Sequence, residues 1–221
     1  MYYDFDDVIA RVRVAMDENR QAETLDGMGD ANTLTLDELI RKKIPEAARV
    51  VVMNAPTELI GEGEAFGDSI QWESAEGYGM GEISLPLDFL RLLTFQMSDW
   101  DYPVTEAITE THPLYIQQRS RIRGIAGNPQ RPVVAIVHKP IGLVLEFYSC
   151  ESGEGCCVKM ARYIPTPLID EEEDRIDIPD KLVDVVVNYT AYLTCALLGQ
   201  NDTASACREV ANRLMGLTKD D

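Results

Sequence analysis

The feature that most constrains the fold is a change of hydrophobic period along the chain. At both ends, apolar residues recur every three or four positions, the spacing of one face of an α-helix. In the middle they fall in short runs separated by Gly and Pro turns, which favours β-strands. Helices at both ends and strands between them predict the α+β class, and 45% hydrophobic residues in 221 suffice for a core.

Two helices are predicted in the N-terminal part. The first covers about residues 5–20, because Val8, Val12 and Met16 recur at helical spacing behind acidic residues that suit a helix N-terminus. Residues 21–32 show no periodicity and predict a loop.

A capping box opens the second helix, since the side chains of Thr35 and Glu38 can each bind the other's backbone amide. Pro45 cannot donate a hydrogen bond to the helical ladder. We therefore expect a break or kink there and a second helical piece through Met53.

The central region predicts strands. Residues 62–81 are rich in Gly and Glu and predict either a loop or a pair of weak strands, and residues 88–97 predict a strand or a short helical turn feeding one. An antiparallel meander is expected from the β-rich segments that follow: residues 116–122, 132–138, 142–148 and 158–163.

Two further helices close the chain. An amphipathic helix starts after Pro179 and ends near Gly199, and Asn201 or Asp202 is expected to cap the last helix.

The domain prediction follows from this order. Residues 1–32 form an N-terminal helix and loop, and residues 33–221 form the main domain. In that domain the helices at 33–54 and 179–215 pack together as a helical bundle, with a central antiparallel β module inserted at about residues 82–165.

The charge of the chain restricts its partners. Twenty Lys and Arg against 38 Asp and Glu give a net charge of −18, which repels polyanions and most membrane surfaces. No apolar run approaches the roughly 20 residues of a membrane span, and the acidic N-terminus lacks a signal-peptide pattern. We expect a protein made and kept in a cytoplasm.

The five cysteines are an odd number and do not form a disulfide framework. Cys150, Cys156 and Cys157 surround a Gly-rich stretch, but no C-x₂-C pair or suitable histidine accompanies them, so a hairpin turn is favoured over zinc. Neither a metal nor a cofactor is expected. Cys195 and Cys207 are predicted to be buried small hydrophobes.

No catalytic residue is predicted. His112 and His138 are better explained as a turn residue and a strand-end residue than as general bases. The acidic run from Asp170 to Asp174 lacks the ligand spacing of a calcium loop and predicts a solvated connector.

One basic feature stands out in this acidic chain. Arg119, Arg121 and Arg123 alternate along a predicted strand, and Arg131 follows the next turn. They form either a docking stripe for an acidic partner, such as another copy of the chain, or a plain exposed strand face. Nucleic-acid binding is disfavoured, because the net charge opposes it and no aromatic residues interleave with the arginines.

A series of short motifs runs along the chain in order: Thr35-Leu36-x-x-Leu39-Ile40, Ile44-Pro45-Glu46-Ala47-Ala48-Arg49, Leu85-Pro86-x-Asp88-Phe89-Leu90-Arg91-Leu92, Trp100 with Pro103-Val104, Tyr115-x-Gln117-Gln118, Arg131-Pro132-Val133, Leu145-Glu146-Phe147-Tyr148 and Ile178-Pro179-x-Lys181-Leu182. In order, spacing and size this set resembles the head-to-tail connector proteins of short-tailed bacteriophages, including the ring proteins of crAss-like phages. The resemblance covers most of residues 33–215. The helix before Gln21 and the acidic run at 170–174 lie outside it.

The resemblance implies a structural virion protein at the head–tail junction. It would form a homo-oligomeric ring that follows the twelvefold portal, contact the portal and other tail or ring proteins, and let DNA pass through its bore. Two alternatives remain at this point: another phage head-completion or tail assembly protein, and a small acidic cytosolic enzyme or inhibitor.

Overall fold

The computed structural model describes residues 1–16, 35–67, 69–73, 79–118, 125, 127–150 and 156–217. The chain divides into two compact units, unit 1 with Met1–Gly61 and Thr166–Asp221 and unit 2 with Glu62–Pro165. The described residues form six α-helices and three β-sheets, which confirms the α+β class.

In chain order the elements are β1 (Tyr2–Asp4), α1 (Phe5–Ala15), α2 (Leu36–Asn54), α3 (Thr57–Ile60), β2 (Glu64–Ala65), β3 (Gln71–Glu73), β4 (Gly79–Ser84), β5 (Phe89–Met97), β6 (Ile108–Thr109), α4 (Pro113–Gln117), β7 (Val134–Lys139), β8 (Gly142–Cys150), β9 (Val158–Pro165), β10 (Ile169–Asp170), β11 (Arg175–Asp177), a 3₁₀ turn (Asp180–Leu182), α5 (Val183–Leu197) and α6 (Asn201–Leu214).

Helix α5 is the centre of unit 1. It contacts α1, α2 and α6, and its sequence is apolar on most sides. Such a helix is stable in water only where neighbouring elements cover it. Thr190 lies fully buried within it, and its hydroxyl donates to the carbonyl of Val186 at 2.7 Å, so this polar group needs no partner outside the helix.

The predicted capping box at the start of α2 is confirmed. The backbone amide of Glu38 donates to the Thr35 hydroxyl at 3.2 Å, and the amide of Thr35 donates to the Glu38 carboxylate at 2.8 Å. Of the break or kink predicted at Pro45, the break is wrong, because α2 runs through Pro45 as one helix. Its buried residues continue on both sides of Pro45, from Ile40 to Val52, and burial of this continuous face outweighs the one lost hydrogen bond.

The turn between α5 and α6 is short. Helix α5 ends before Gly199, as predicted, and Gly199 adopts a φ of 76°, which favours glycine. The predicted cap of α6 is wrong, since Gln200 occupies the N-cap position without a side-chain bond and Asn201 is already helical. The Gln200 amide donates to the Cys195 carbonyl at 2.9 Å, which closes the turn after α5. Helix α6 therefore begins at Asn201, a residue that was predicted to cap it.

A small sheet in unit 1 joins the N-terminal strand to the segment that carries the acidic run. Its strand order is β1-β11-β10, and both pairs are antiparallel. Tyr3 lies opposite Ile176, which is fully buried. The N-terminal strand β1 therefore shares one sheet with β10 and β11, the two strands that the acidic run connects.

Unit 2 consists of two sheets that share one hydrophobic core. Their strand orders are β2-β9-β5 and β3-β4-β8-β7-β6, and among the described strands only the β6–β7 pair is parallel. Phe95 from the first sheet and Phe147 from the second lie with ring centroids 5.6 Å apart, and Trp100 packs edge-on against Phe95. The aromatic contacts between the sheets add to the stability gained from burying their apolar faces.

The predicted meander is wrong in its pairing. Strands β7 and β8 form a hairpin as expected, but β9 leaves that sheet and pairs with β5. Ala161 of β9 lies in the core that the two sheets share. By pairing with β5, β9 buries its inward-facing side against that core from the sheet opposite β7 and β8.

Two ambiguous segments are resolved where the structure describes them. The Gly-rich region contributes the short strands β2 and β3, and residues 89–97 form the strand β5. The strand predicted from residue 116 is wrong at its start, because Pro113 and the His112 N-cap begin the helix α4 over Pro113–Gln117.

Candidate interaction surface

The turn that carries Arg131 is held in place by its neighbours. The Asn128 side chain accepts hydrogen bonds from the amides of Gln130 and Arg131 at 3.0 and 3.1 Å. The Asp101 amide donates to the Pro129 carbonyl at 3.1 Å. Arg131 itself is exposed, so this basic residue belongs to a fixed turn at the surface of unit 2.

Gln118 joins the two sides of the segment that contains the other arginines. It is 6% exposed, its side-chain amide donates to the Leu114 carbonyl at 3.0 Å, and its side-chain oxygen accepts the Gly127 amide at 2.7 Å. Residues 118 and 127 are therefore fixed to each other. Arg119, Arg121 and Arg123 fall between them but lie outside the described residues, so their docking role stays a prediction.

A buried carboxylate, Glu146, anchors α4 to the sheet. Glu146 lies on β8 with 2% exposure and accepts a hydrogen bond from the Tyr148 hydroxyl. The Tyr115 hydroxyl of α4 donates to the same oxygen at 3.1 Å, and the Lys139 ammonium lies 2.9 Å from the other oxygen. Lys139 also binds Glu82 on β4. Because α4 ends at Gln117, this cluster also places Gln118.

The cluster perturbs the titration of its members. Burial alone would raise the pKa of Glu146, but hydrogen bonds from Tyr148 and Lys139 lower it below the ordinary value. Burial would lower the pKa of Lys139, but bonds to Glu82 and Glu146 raise it above the ordinary value. Burial and the Glu146 carboxylate raise the pKa of Tyr148. Glu146 and Lys139 therefore stay charged, which suits a structural anchor better than proton transfer.

The acidic run is the turn of a hairpin rather than a connector. Asp170 accepts the amides of Glu172 and Glu173, both at 3.1 Å, which shapes the turn between β10 and β11. Arg41 binds Asp174, and Arg175 binds Glu173 at 2.6 Å. These basic partners offset the self-repulsion that the sequence alone predicts for five consecutive acids.

Three metal-ligand side chains meet at one end of the unit 2 core. A carboxylate oxygen of Asp99 and the sulfurs of Cys150 and Cys156 all lie within 4.8 Å of one another. Cys150 is fully buried, and burial together with Asp99 and Cys156 raises the pKa of its thiol. Sequence reasoning missed this cluster because Asp99 stands 51 residues before Cys150 and belongs to no ligand motif.

Helix α6 presents an apolar stripe to solvent. Ala206, Val210 and Leu214 recur at intervals of four residues and are all exposed, and Leu217 beyond the helix is 50% exposed. The neighbouring face is covered, since Cys207 and Ala211 are buried. Single exposed apolar residues are common, but a stripe along one helix face is typical of a protein contact.

Both histidines have local structural partners. His112 caps α4, with its Nδ1 accepting the Leu114 amide at 3.2 Å, and the His138 amide donates to Glu110 at 2.9 Å. These contacts agree with the predicted turn and strand-end positions. Cys195 and Cys207 are buried as predicted, with 0% and 5% exposure.

No family model matches this chain, and no curated protein matches it. None of the helices in the described parts of the chain combines the length and apolar character needed to cross a membrane.

The negative charge is unequally divided between the units. By sequence, unit 1 holds 24 Asp and Glu against 12 Lys and Arg, so 12 − 24 = −12 of the net charge of −18 belongs to it. Unit 2 holds 14 against 8, a balance of 8 − 14 = −6. The arginine segment and Arg131 lie in the less acidic unit.

Proposed function

We propose that this chain is a structural subunit of the ring that joins portal to tail in a short-tailed bacteriophage, at the head–tail junction of the virion. The genome passes through the ring, which has no enzymatic role. The subunits form a closed homo-oligomer that follows the twelvefold portal, and the ring contacts the portal and other tail or ring proteins.

The observation that carries the proposal is which helices make up unit 1. It draws its helices from both ends of the sequence, α1 and α2 from one and α5 and α6 from the other, while residues 62–165 form a separate β-rich unit. In this proposal the four helices form the helical bundle of a connector domain and unit 2 is its insertion. The motif resemblance implies this order along the chain: first helices, then a β-rich insertion, then a helical hairpin.

A cyclic ring requires two different faces on each subunit, because its contacts are heterologous. The described residues offer an apolar stripe on α6 and an acidic hairpin turn at residues 170–174 in unit 1. Unit 2 contributes Gln118 and Gly127, which flank the arginine segment and are held together by a hydrogen bond. Basic and acidic surfaces on one chain favour association between copies of it.

The charge of the chain suits a channel for DNA. Every subunit adds 18 negative charges to the ring, and a negative bore repels phosphates, so DNA slides without tight contact. The alternative of an acidic inhibitor that mimics nucleic acid rests on the same charge, and only the oligomeric state separates the two.

The decisive test is the mass of the purified full chain, measured by native mass spectrometry with and without a portal protein. We expect a large closed oligomer, alone or on the portal. Leu214→Glu in the α6 stripe should reduce assembly, while the control Glu209→Gln on the same helix should not. A chain that stays monomeric at high concentration and binds no portal contradicts the proposal.

A further inference from the structure

The cluster of Asp99, Cys150 and Cys156 has the composition of a transition-metal site. Two thiolates and one carboxylate are ligands that Zn²⁺ accepts, and three protein ligands leave one position for water. Sulfur ligands in a tetrahedral zinc site lie about 3.8 Å apart, because each Zn–S bond is about 2.3 Å. The donor atoms here already lie within 4.8 Å of one another, so the required contraction is at most about 1 Å between the sulfurs and about 1.3 Å between a sulfur and the carboxylate oxygen.

Backbone hydrogen bonds hold the three residues in position from different parts of unit 2. The Ser98 amide donates to the Cys157 carbonyl at 2.9 Å, and the Cys157 amide donates back to the Ser98 hydroxyl at 3.2 Å. These two bonds fix the residues next to Asp99 and Cys156 against each other. Cys150 is placed separately, at the end of β8, where it pairs with Gly79 of β4.

The surroundings of the cluster suit a cation. Cys150 is fully buried in the core, while Asp99 and Cys156 are partly exposed, so the cluster opens toward solvent on one side. The Asp99 carboxylate and the two sulfurs, once deprotonated by metal binding, would bring negative charges together that a divalent cation neutralises.

We propose that Asp99, Cys150 and Cys156 bind a divalent transition metal of the Zn²⁺ class, with solvent in the fourth position. The site is independent of the ring assignment and ties the end of β8 to the turn after β5. The spacing of the cysteines alone disfavours zinc. Asp99, which lies in a turn distant in sequence, supplies the third ligand.

The test uses the full chain, reduced and metal-free, titrated with Co²⁺ and then with Zn²⁺. We expect one equivalent of Co²⁺ per chain with a near-ultraviolet thiolate-to-cobalt absorption band, which Zn²⁺ displaces. Cys156→Ser and Asp99→Asn should each weaken binding by more than about tenfold, since loss of an outer-shell partner alone costs 10- to 100-fold. Cys157→Ser is the matched control and should bind normally.

Folding of every variant is checked by tryptophan fluorescence, because Trp100 lies beside the site. Cys150→Ser is avoided as the primary variant, since its fully buried position makes a folding defect expected. The proposal is overturned if the reduced chain shows no cobalt band, or if Cys156→Ser binds as tightly as the parent. It is also overturned if Cys150 and Cys156 form a disulfide in air while the reduced chain takes up no metal.

Discussion

The guanidinium of Arg175 binds the carboxylate of Asp4 at 2.8 Å, although 171 residues separate them. Asp4 ends β1 and Arg175 begins β11, so this ion pair closes the small sheet that joins the N-terminus to the acidic hairpin. These are the two parts of the chain that fall outside the connector resemblance. The structure pairs them with each other.

Stability of that sheet should depend on burial rather than on the ion pair. Asp4→Asn is expected to change the free energy of unfolding by less than about 1 kcal/mol, because both side chains are roughly half exposed. Ile176→Ala should cost about 2–5 kcal/mol, because Ile176 is fully buried. Far-ultraviolet circular dichroism of the helices follows unit 1 during urea unfolding. Equal losses in the two variants would contradict the prediction.

Removing the charge of Glu146 should destabilise unit 2. Glu146→Gln is expected to cost on the order of 3 kcal/mol, because it breaks a buried pair with Lys139. Glu82→Gln is the matched control and should cost less, since Lys139 keeps Glu146 and Glu82 is more exposed. Both tryptophans, Trp72 and Trp100, lie in unit 2, so their fluorescence reports its unfolding.

The same variant should flatten the acid limb of the stability profile. The folded pKa of Glu146 lies below its ordinary value of 4.5, so its contribution is present above that value and is lost as pH falls through the folded pKa. The pKa of Lys139 is raised, so its contribution is present below its ordinary value of 10.5 and is lost at higher pH. Urea unfolding from acid to neutral pH should show a smaller slope for Glu146→Gln than for the parent.

Gly81 should tolerate no side chain. A Cβ there would lie 2.3 Å from the Phe147 ring, which is fully buried in the core. Gly81→Ala is expected to cost about 1–3 kcal/mol or more through forced repacking, and the exposed Ser84→Ala on the same strand is the control. Trp72 packs against Phe147 with centroids 5.4 Å apart, so its emission should also shift in the folded state.

Charge reversal in the arginine segment should weaken assembly but not folding. Arg121→Glu is expected to lower the assembled fraction, because it opposes carboxylates of a neighbouring subunit. Lys159→Glu makes the same charge change at an exposed position elsewhere in unit 2 and is the control. Native mass spectrometry gives the assembled fraction. If reversal of Arg119, Arg121 and Arg123 together leaves assembly intact, the segment is only a solvated surface.

The protein should not retard duplex DNA at moderate salt. With 38 acidic and 20 basic side chains in each copy, the field of the oligomer opposes phosphate binding. A gel-shift series over increasing salt checks this, with parallel mass measurements to show that the oligomer is present. Sub-micromolar, salt-sensitive binding would instead assign nucleic-acid binding to residues 119–131.

Local chemistry made much of the fold predictable. The capping box at Thr35, the glycine after α5 and the β7–β8 hairpin each depend on residues close in sequence, and each is present. The helix through Pro45 was not predictable in this way, because burial of a long face overrides a local breaker.

The candidate sites depend on distant contacts and were therefore less predictable. Strand β9 follows β8 in the sequence and could have paired with it. It pairs with β5 instead, because both strands then cover the core that the two sheets share. Asp99 joins Cys150 and Cys156 through tertiary packing, and Tyr115 reaches Glu146 from α4, a helix that the pattern did not predict. A single sequence contains the residues of such clusters but no signal of their meeting.

The first and last strands of unit 2 are neighbours, since Glu64 of β2 pairs with Tyr163 of β9. During synthesis on the ribosome, every strand of this unit has emerged once residue 165 is free, so its two sheets can close without any later residue. Unit 1 closes later, because β11 and α5 follow unit 2 in the chain. Helices α1 and α2 consequently remain without their buried partner until α5 has emerged, after the whole of unit 2.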